Sequence, residues 1–248
     1  MTRVQIYMEG GGPEGKGDSK DRDSQPALGR RRHYGYGKEI FRKSVMQLFV
    51  SALGENAGNI EIVPCGGIEE TVWLFLAKAR AVLNADAVLV VDSDNEVTEE
   101  PLMHLVADER FVGNEKCAEL ANADPDMVHL MVQCMESWLI ADPAGLSRAY
   151  GGGFEESALP ITDDPESVPK SELGEALYEA TKNTALRKYR KISHLPAIFG
   201  AIDGRVVRER CKHFDMLCSV LEELICAKSG VQSELARPSS QMDSENTS

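Results

Sequence analysis

Apolar residues follow two different spacings along the first 92 positions of the chain. Short apolar runs at 4–8, 60–64 and 87–92 predict strands. Between these runs, apolar residues recur at helical spacing over 39–53 and 69–83. Because strands and helices alternate in this order, the pattern predicts an α/β domain with a mainly parallel central sheet flanked by helices.

The third run, AVLVVD at 87–92, is apolar up to its final aspartate and shows no alternation. A strand of this kind is typical of the centre of a parallel sheet, where both faces are buried. Downstream, the pattern predicts a fourth strand at 127–132, helices at 99–109, 171–190 and 204–228, one or two helices within 134–151, and loops at 10–37 and 155–170. We therefore expect one domain over 1–228 with a helical C-terminal extension, and a disordered tail over 229–248.

Charge is unevenly distributed along this acidic chain. The formal net charge is −13, but residues 84–126 hold twelve acidic and two basic residues, whereas 181–213 hold nine basic and two acidic residues. A protein with this net charge should not bind nucleic acid tightly through charge alone. The uneven pattern suits a metal site beside a face that binds a polyanion, although a solvated helix face would show the same charges.

Three acidic residues are predicted to lie at the carboxyl ends of strands. Glu9 follows the first strand, and Asp92 and Asp94 follow the third in VVDSDN. Sites in open parallel sheets form at this edge, so these acids should converge if strands one and three are neighbours. In an extended segment, the spacing of Asp92 and Asp94 would direct both side chains to one side. Clustered carboxylates repel one another unless a cation neutralises them, and oxygen ligands favour Mg²⁺ or Mn²⁺.

The glycine-rich stretch after the first strand allows a different interpretation. Gly10, Gly15 and Lys16 match the spacing of a phosphate-binding loop. Gly17, however, stands where that motif needs serine or threonine, and no helix pattern follows directly. Glu9 would also repel a phosphate, so we favour the carboxylate interpretation and keep a phosphate-loop NTPase as the weaker alternative.

The strand-Glu-Gly and D-x-D motifs together resemble the TOPRIM domain of topoisomerases, bacterial primases and OLD-type nucleases. More of the chain resembles a bacterial TOPRIM-fold family of unknown function whose members are often encoded beside an ATPase. The similar blocks include YMEGGG at 7–12, VLVVDSD at 88–94, HLMVQCMESWLIAD at 129–142 and YRKISH at 189–194. The resemblance implies a TOPRIM-like Rossmannoid fold with Glu9, Asp92 and Asp94 as metal ligands.

The resemblance also implies an activity and a partner. The activity is metal-dependent hydrolysis of phosphodiester bonds with one or two Mg²⁺ or Mn²⁺ ions, as an effector of phage defence working with an ATPase. Glu136 would be a fourth carboxylate ligand or, alternatively, an acid favoured at a helix N-terminus. Topoisomerases use a tyrosine, but nothing places Tyr34 or Tyr36 on a scissile strand. Hydrolysis is therefore preferred to strand transfer.

The basic segment offers contacts for a nucleic acid, DNA in preference to RNA. Lys188 and Arg190 suit backbone phosphates, and His194 lies in the same segment. Lys191 could stabilise charge that develops on a metal-bound phosphate, or make a simple phosphate or structural contact. A non-catalytic, magnesium-binding regulatory subunit of an ATPase complex remains an alternative to the nuclease.

Neither a membrane span nor a signal peptide is indicated by the sequence. Apolar runs are shorter than the roughly 18 residues that a bilayer requires, so we expect a cytoplasmic protein. The six cysteines form no CxxC pair, which speaks against a zinc site. Trp73 and Trp138 are expected to pack in the core, Asp142 to cap a helix, and a homo-oligomer is left open.

Overall fold

The computed structural model describes residues 3–11, 30–81, 87–113 and 115–235. Within these residues the strands are β1 (Val4–Glu9), β2 (Ile60–Gly66), β3 (Ala87–Asp92) and β4 (Val128–Met131). They form one sheet in the order β2-β1-β3-β4, and each of its pairings is parallel. The predicted α/β fold with a mainly parallel sheet is therefore confirmed.

Both faces of the central strand β3 are buried, as its continuous apolar run predicts. Val88 and Val90 belong to one hydrophobic cluster, and Leu89 and Val91 belong to a second cluster on the other face. Successive side chains of a strand point to opposite faces. An uninterrupted apolar run therefore packs against the helices on both sides of the sheet. This burial fixes Asp92 at the end of a rigid, fully covered strand.

Helices cover the sheet on both sides. The helices are α1 (Arg30–Leu53), α2 (Ile68–Ala81), α3 (Pro101–Val106), α4 (Glu115–Leu120), α5 (Glu136–Ile140), α6 (Pro143–Tyr150), α7 (Lys170–Thr181), α8 (Leu195–Phe199), α9 (Gly204–Arg210) and α10 (Lys212–Leu235). Elements α1, α5 and α10 contribute to the first hydrophobic cluster, and α2, α3 and α4 contribute to the second. The helical C-terminal part predicted from the sequence thus packs on one face of the sheet.

Several predicted boundaries are wrong. Helix α1 begins at Arg30, within the predicted loop at 10–37, because its first turns carry no apolar stripe that a pattern could reveal. The predicted helix at 204–228 is divided, since Cys211 adopts an extended backbone between α9 and α10. Helix α10 continues past Ser229 to Leu235, and residues 236–248 of the expected tail lie outside the described residues.

The predicted helix at 171–190 ends at Thr181, nine residues early. The Thr181 hydroxyl donates to the Leu177 carbonyl at 2.6 Å and accepts a hydrogen bond from the Tyr189 backbone N–H at 2.8 Å. Threonine side chains that bond to the backbone compete with helix continuation. The chain therefore folds back, and residues 182–194 cross the carboxyl edge of the sheet instead of extending a helix.

Two further observations bear on the sequence-based expectations. Trp138 is fully buried as predicted, but Trp73 is 47% exposed, so a core position for Trp73 is wrong. In the described part of the chain, no helix is long and apolar enough to cross a membrane.

Candidate metal centre

Strands β1 and β3 are neighbours, so the condition for Glu9 and Asp92 to meet is fulfilled. Their register pairs Met8 with Val90, which places the two strand ends side by side. The Asp92 backbone N–H donates a hydrogen bond to Glu9 Oε2 at 3.1 Å. Two carboxylates separated by 83 positions in sequence therefore lie at one edge of the sheet.

Asp92 and Asp94 leave β3 with different backbone conformations. Asp92 is 5% exposed, and its Oδ1 accepts a hydrogen bond from the Met135 backbone N–H at 3.1 Å. Asp94 has a φ of 60°, and its N–H donates to the Gln133 carbonyl at 2.9 Å. The expectation of an extended D-x-D segment is therefore wrong, because the chain turns at Asp94. The two carboxylates nevertheless share a cationic partner.

That partner is Lys170, the first residue of α7, which sequence reasoning missed. Its ammonium donates to Asp94 Oδ1 and lies 3.5 Å from Asp92 Oδ2. Arg110 also pairs with Asp94, at 2.9 Å from Oδ2. The role of Lys170 is hard to predict from the sequence, because Lys170 lies 76 positions from Asp94 and at the start of a helix, a position that favours acids.

Glu136 completes the group, together with the predicted Lys191. Glu136 is the first residue of α5 and is 8% exposed. It accepts a hydrogen bond from Lys191 Nζ at 3.2 Å and another from the Tyr189 hydroxyl at 3.1 Å. Lys191 Nζ is also 3.8 Å from Asp92 Oδ2. We call Glu9, Asp92, Asp94 and Glu136 the carboxylate cluster.

The four carboxyl groups of this cluster differ in how well their charge is compensated. Burial and the neighbouring Asp92 raise the pKa of Glu9 to about 7, and burial likewise raises the pKa of Asp92. Burial also opposes ionisation of Asp94, but Lys170 and Arg110 outweigh it and lower its pKa. Lys191 lowers the pKa of Glu136 against the same opposing effect of burial. At Glu9 and Asp92 burial therefore outweighs the attraction of nearby ammonium groups, which at Asp92 come from both Lys170 and Lys191.

The carboxylate oxygens of the cluster suit a hard divalent cation, although their side chains are not arranged around a single position. Among the described residues, no three acidic, histidine or cysteine side chains are arranged to hold a metal ion, and Glu9 makes no ion pair. Instead, Lys170 and Lys191 each bridge two carboxylates. Carboxylate oxygens are the ligands that Mg²⁺ and Mn²⁺ prefer, and Glu9 and Asp92, whose pKa values are both raised, would lead such a site.

Gly10 supports the position of Glu9. It has a φ of 134°, and its N–H and carbonyl bond to Gly66 at 2.8 and 3.0 Å. A Cβ atom at Gly10 would lie 2.3 Å from the Phe41 ring. Since its N–H is engaged by β2, Gly10 does not present a free donor to a phosphate. Residues 12–29, including Gly15, Lys16 and Gly17 of the alternative phosphate loop, lie outside the described residues.

The basic segment at 188–194 alternates between outward and inward side chains. Lys188 and Arg190 form no hydrogen bond or ion pair with described side chains, and Arg190 is exposed. Tyr189 and Lys191 instead reach Glu136. His194 is 7% exposed, and its Nδ1 pairs with the Tyr150 hydroxyl at 3.0 Å. The expected nucleic-acid contact by His194 therefore does not fit its interior position.

Asp142, the cysteines and two tyrosines are the remaining residues considered from the sequence. Asp142 caps α6, accepting from the Gly145 N–H at 2.9 Å, as expected. The six cysteines are free thiols, and none of them forms a zinc site within the described residues. The side chains of Tyr34 and Tyr36 lie outside the described part of the structure.

A surface cavity of about 550 Å³ opens beside Asp94. Its walls include His104, Arg110 and the acids Glu99, Asp108 and Glu109. An acidic wall repels phosphates, so this side of the carboxylate cluster is unfavourable for a nucleic-acid backbone.

A family model described as "Domain of unknown function (DUF4276)" matches residues 39–222. The matched range contains Asp92, Asp94, Glu136, Lys170 and Lys191, and Glu9 precedes it. No curated protein and no solved structure gives a significant match.

Proposed function

We propose that this chain, which belongs to the DUF4276 family, is a metal-dependent phosphodiesterase that cleaves nucleic acid at the carboxylate cluster. The observation that carries the proposal is the meeting of Glu9 and the buried Asp92, both with a raised pKa, at the carboxyl ends of adjacent parallel strands. Substrate sites in parallel α/β sheets form at this edge. The TOPRIM-like arrangement of Glu9, Asp92 and Asp94 supports the same reaction.

Each polar group has a role in this proposal. Glu9, Asp92 and Asp94 hold one or two Mg²⁺ or Mn²⁺ ions, with Glu136 as a further ligand or as the partner that positions Lys191. The bound metal supplies an activated water and compensates charge on the phosphate and the leaving oxygen. Lys191, held by Glu136, places an ammonium beside the reacting phosphate, where it stabilises developing negative charge. Tyr189 fixes the orientation of Glu136.

Binding of the substrate is assigned to the basic segment and to a partner. Lys188 and Arg190 contact backbone phosphates, which gives affinity without sequence preference. We expect DNA in preference to RNA as the substrate. Since the chain carries a net charge of −13, an ATPase partner supplies much of the remaining affinity for nucleic acid. The proposal places the pair in the cytoplasm as an effector of phage defence, which agrees with the free thiols of the chain.

The test is a cleavage assay with a matched pair of variants. Supercoiled plasmid, linear DNA and RNA are incubated with the protein in Mg²⁺, Mn²⁺ or EDTA, alone and with its partner ATPase. We expect cleavage by wild type with a divalent cation and no cleavage by Asp92→Ala. The control is Asp163→Ala, which removes an exposed acid remote from the cluster residues in sequence. Absence of cleavage under every one of these conditions contradicts the nuclease proposal.

One observation favours a regulatory, non-catalytic subunit. Lys170 and Lys191 bridge three of the four carboxylates, and these ion pairs hold much of the cluster together even if the protein catalyses no reaction. Mn²⁺ binding that is lost in Asp92→Ala, combined with an absence of cleavage by wild type, would identify this role. The phosphate-loop alternative predicts instead that ATP binding is lost in Lys16→Ala and kept in Glu9→Ala.

A further inference from the structure

Lys170 occupies the space between the two aspartates of the D-x-D motif. Its ammonium bonds to Asp94 and lies 3.5 Å from Asp92 Oδ2, so it contacts both carboxylates at once. A cation shared by Asp92 and Asp94 would need the same oxygens. An ammonium and a divalent ion cannot both lie there, because their positive charges repel at such short distances.

The location of Lys170 is unfavourable for its own helix. Lys170 is the first residue of α7, where the helix dipole favours a negative charge. Its backbone N–H is held by Gln133 Oε1 at 3.1 Å, and the Gln133 carbonyl accepts from the Asp94 N–H at 2.9 Å. Gln133 thus fixes the backbone at both Lys170 and Asp94, while the lysine side chain stays 43% exposed. The ammonium can therefore leave for solvent without moving the helix.

Asp94 keeps a cationic partner when Lys170 is absent. Arg110 lies 2.9 Å from Asp94 Oδ2 and is itself held by Asp108 through two hydrogen bonds from its guanidinium. Lys191, in contrast, is bonded to Glu136 at 3.2 Å and lies farther from Asp92. Of the two lysines in the cluster, Lys170 is the one that blocks the D-x-D pair.

We propose that Lys170 is an exchangeable internal counter-ion, which neutralises Asp92 and Asp94 in the metal-free protein and must be displaced when a divalent cation binds. This inference rests on the proposed metal site. Lys170 then weakens metal affinity and stabilises the metal-free state, so that a higher concentration of the cation is needed to fill the site. The lysine regulates occupancy of the site and need not take part in the reaction.

The experiment compares Mn²⁺ binding by wild type, Lys170→Met and Lys170→Arg, using isothermal titration calorimetry on the full chain. Methionine keeps much of the side-chain length and removes the charge. We expect Lys170→Met to bind Mn²⁺ about tenfold more tightly, because no ammonium competes, and Lys170→Arg to remain close to wild type. Thermal unfolding of the metal-free proteins gives a second readout, in which Lys170→Met should melt at a lower temperature and regain stability with Mn²⁺.

Lys182→Met is the matched control, since Lys182 follows the last turn of α7 and, within the described residues, forms a surface ion pair with Glu179. It should leave Mn²⁺ affinity unchanged. Equal or weaker Mn²⁺ binding by Lys170→Met, with wild type binding normally, overturns the counter-ion role and leaves the proposed metal site intact. If neither wild type nor Lys170→Met binds Mn²⁺, the metal site and this inference fail together.

Discussion

Two pairs of carboxylates lie equally deep in this protein but have different partners. Asp92 and Glu136 are 5% and 8% exposed, and Asp142 and Glu166 are 4% and 6% exposed. Asp142 accepts from the backbone N–H groups of Gly145 and Asp203, at 2.9 and 3.0 Å. Glu166 accepts from the backbone N–H and the ring Nδ1 of His213, at 3.1 and 2.8 Å. Asp92 and Glu136 accept from the Met135 N–H and the Tyr189 hydroxyl, both at 3.1 Å, and in addition lie beside the ammonium groups of Lys170 and Lys191.

The difference separates structural acids from functional candidates better than burial does. A backbone N–H is fixed by the fold and cannot be exchanged for another ligand. An ammonium on a flexible side chain can be exchanged for a metal ion or a phosphate. Burial of a carboxylate is therefore weak support for a function, whereas a mobile cationic partner at the carboxyl edge of a sheet is stronger support.

The largest effect is expected for Asp92→Asn, which tests whether Asp92 differs from the structural acids. Asparagine keeps a hydrogen-bond acceptor for the Met135 N–H and removes the charge. We expect a roughly 1,000-fold loss of cleavage rate, about 4 kcal/mol in the barrier, because a principal metal ligand is lost. The free energy of unfolding should change by less than about 1 kcal/mol. Single-turnover cleavage and urea unfolding measure the two effects. Loss of stability without loss of cleavage would place Asp92 with the structural acids.

The converse change is Asp142→Ala. It leaves the Gly145 and Asp203 N–H groups without their acceptor and removes the ion pair with Arg148, so the free energy of unfolding should fall by about 3 kcal/mol. Mn²⁺ affinity of the folded fraction should stay unchanged. Asp164→Ala is the control, because this exposed acid caps one short turn and should cost only about 1 kcal/mol. Equal losses of unfolding free energy in Asp142→Ala and Asp164→Ala would show that burial and the number of hydrogen bonds do not determine how much these acids stabilise the fold.

A buried histidine extends the comparison to pH. Burial lowers the pKa of His129 to about 4, and its Nε2 pairs with the Asp126 carbonyl, with His213 as a further charge nearby. The unfolded chain binds the proton at a higher pH than the folded one, so this stability is complete above pH 6.5 and is lost as pH falls towards 4. We expect about 2 kcal/mol of loss in wild type over that range.

In His129→Gln the corresponding slope of unfolding free energy against pH should be shallower. Urea unfolding at pH 7, 6, 5 and 4 measures the slope in both proteins. Parallel slopes would show that His129 does not carry this pH dependence, whatever the difference in absolute stability.

The smallest expected effect concerns the basic segment. Replacing Lys188 and Arg190 by alanine should weaken DNA binding about tenfold and lower the slope of log affinity against log salt by about 2, since two phosphate contacts are lost. Fluorescence anisotropy at several salt concentrations measures this. Arg205→Ala, which removes an exposed arginine already paired with Asp203, is the control. An unchanged salt slope in the double variant would move the nucleic-acid face elsewhere.

Much of the candidate site was visible in the sequence because it lies at the ends of strongly patterned strands. Glu9, Asp92 and Asp94 follow apolar runs, and the order of elements predicted a parallel sheet. The turn at Asp94 was not predictable, since it depends on a hydrogen bond to Gln133, a residue of another strand end. Lys170 and Arg110 were missed because neither belongs to a motif, and only the tertiary fold brings them to Asp94.

The errors in helix length have a similar cause. Residues 171–190 carry helix-forming side chains, but Thr181 and Thr184 bond to the backbone and end α7. The early end lets Tyr189 and Lys191 turn towards Glu136. Local periodicity cannot report such a reversal, because the contacts that stabilise it lie about 50 positions away.

The all-parallel pairing of β1 with β3 also determines when the carboxylate cluster can exist during synthesis of the chain. Glu9 pairs with Gly66 of β2 early in synthesis, but it meets Asp92 only after the crossover and β3 have left the ribosome, and Lys191 follows about a hundred residues later. A nascent chain that stops before residue 191 therefore carries the first ligand but not the assembled cluster. Under the proposed nuclease function, chains that end before Lys191 should not cleave nucleic acid, because they lack a group of the proposed site.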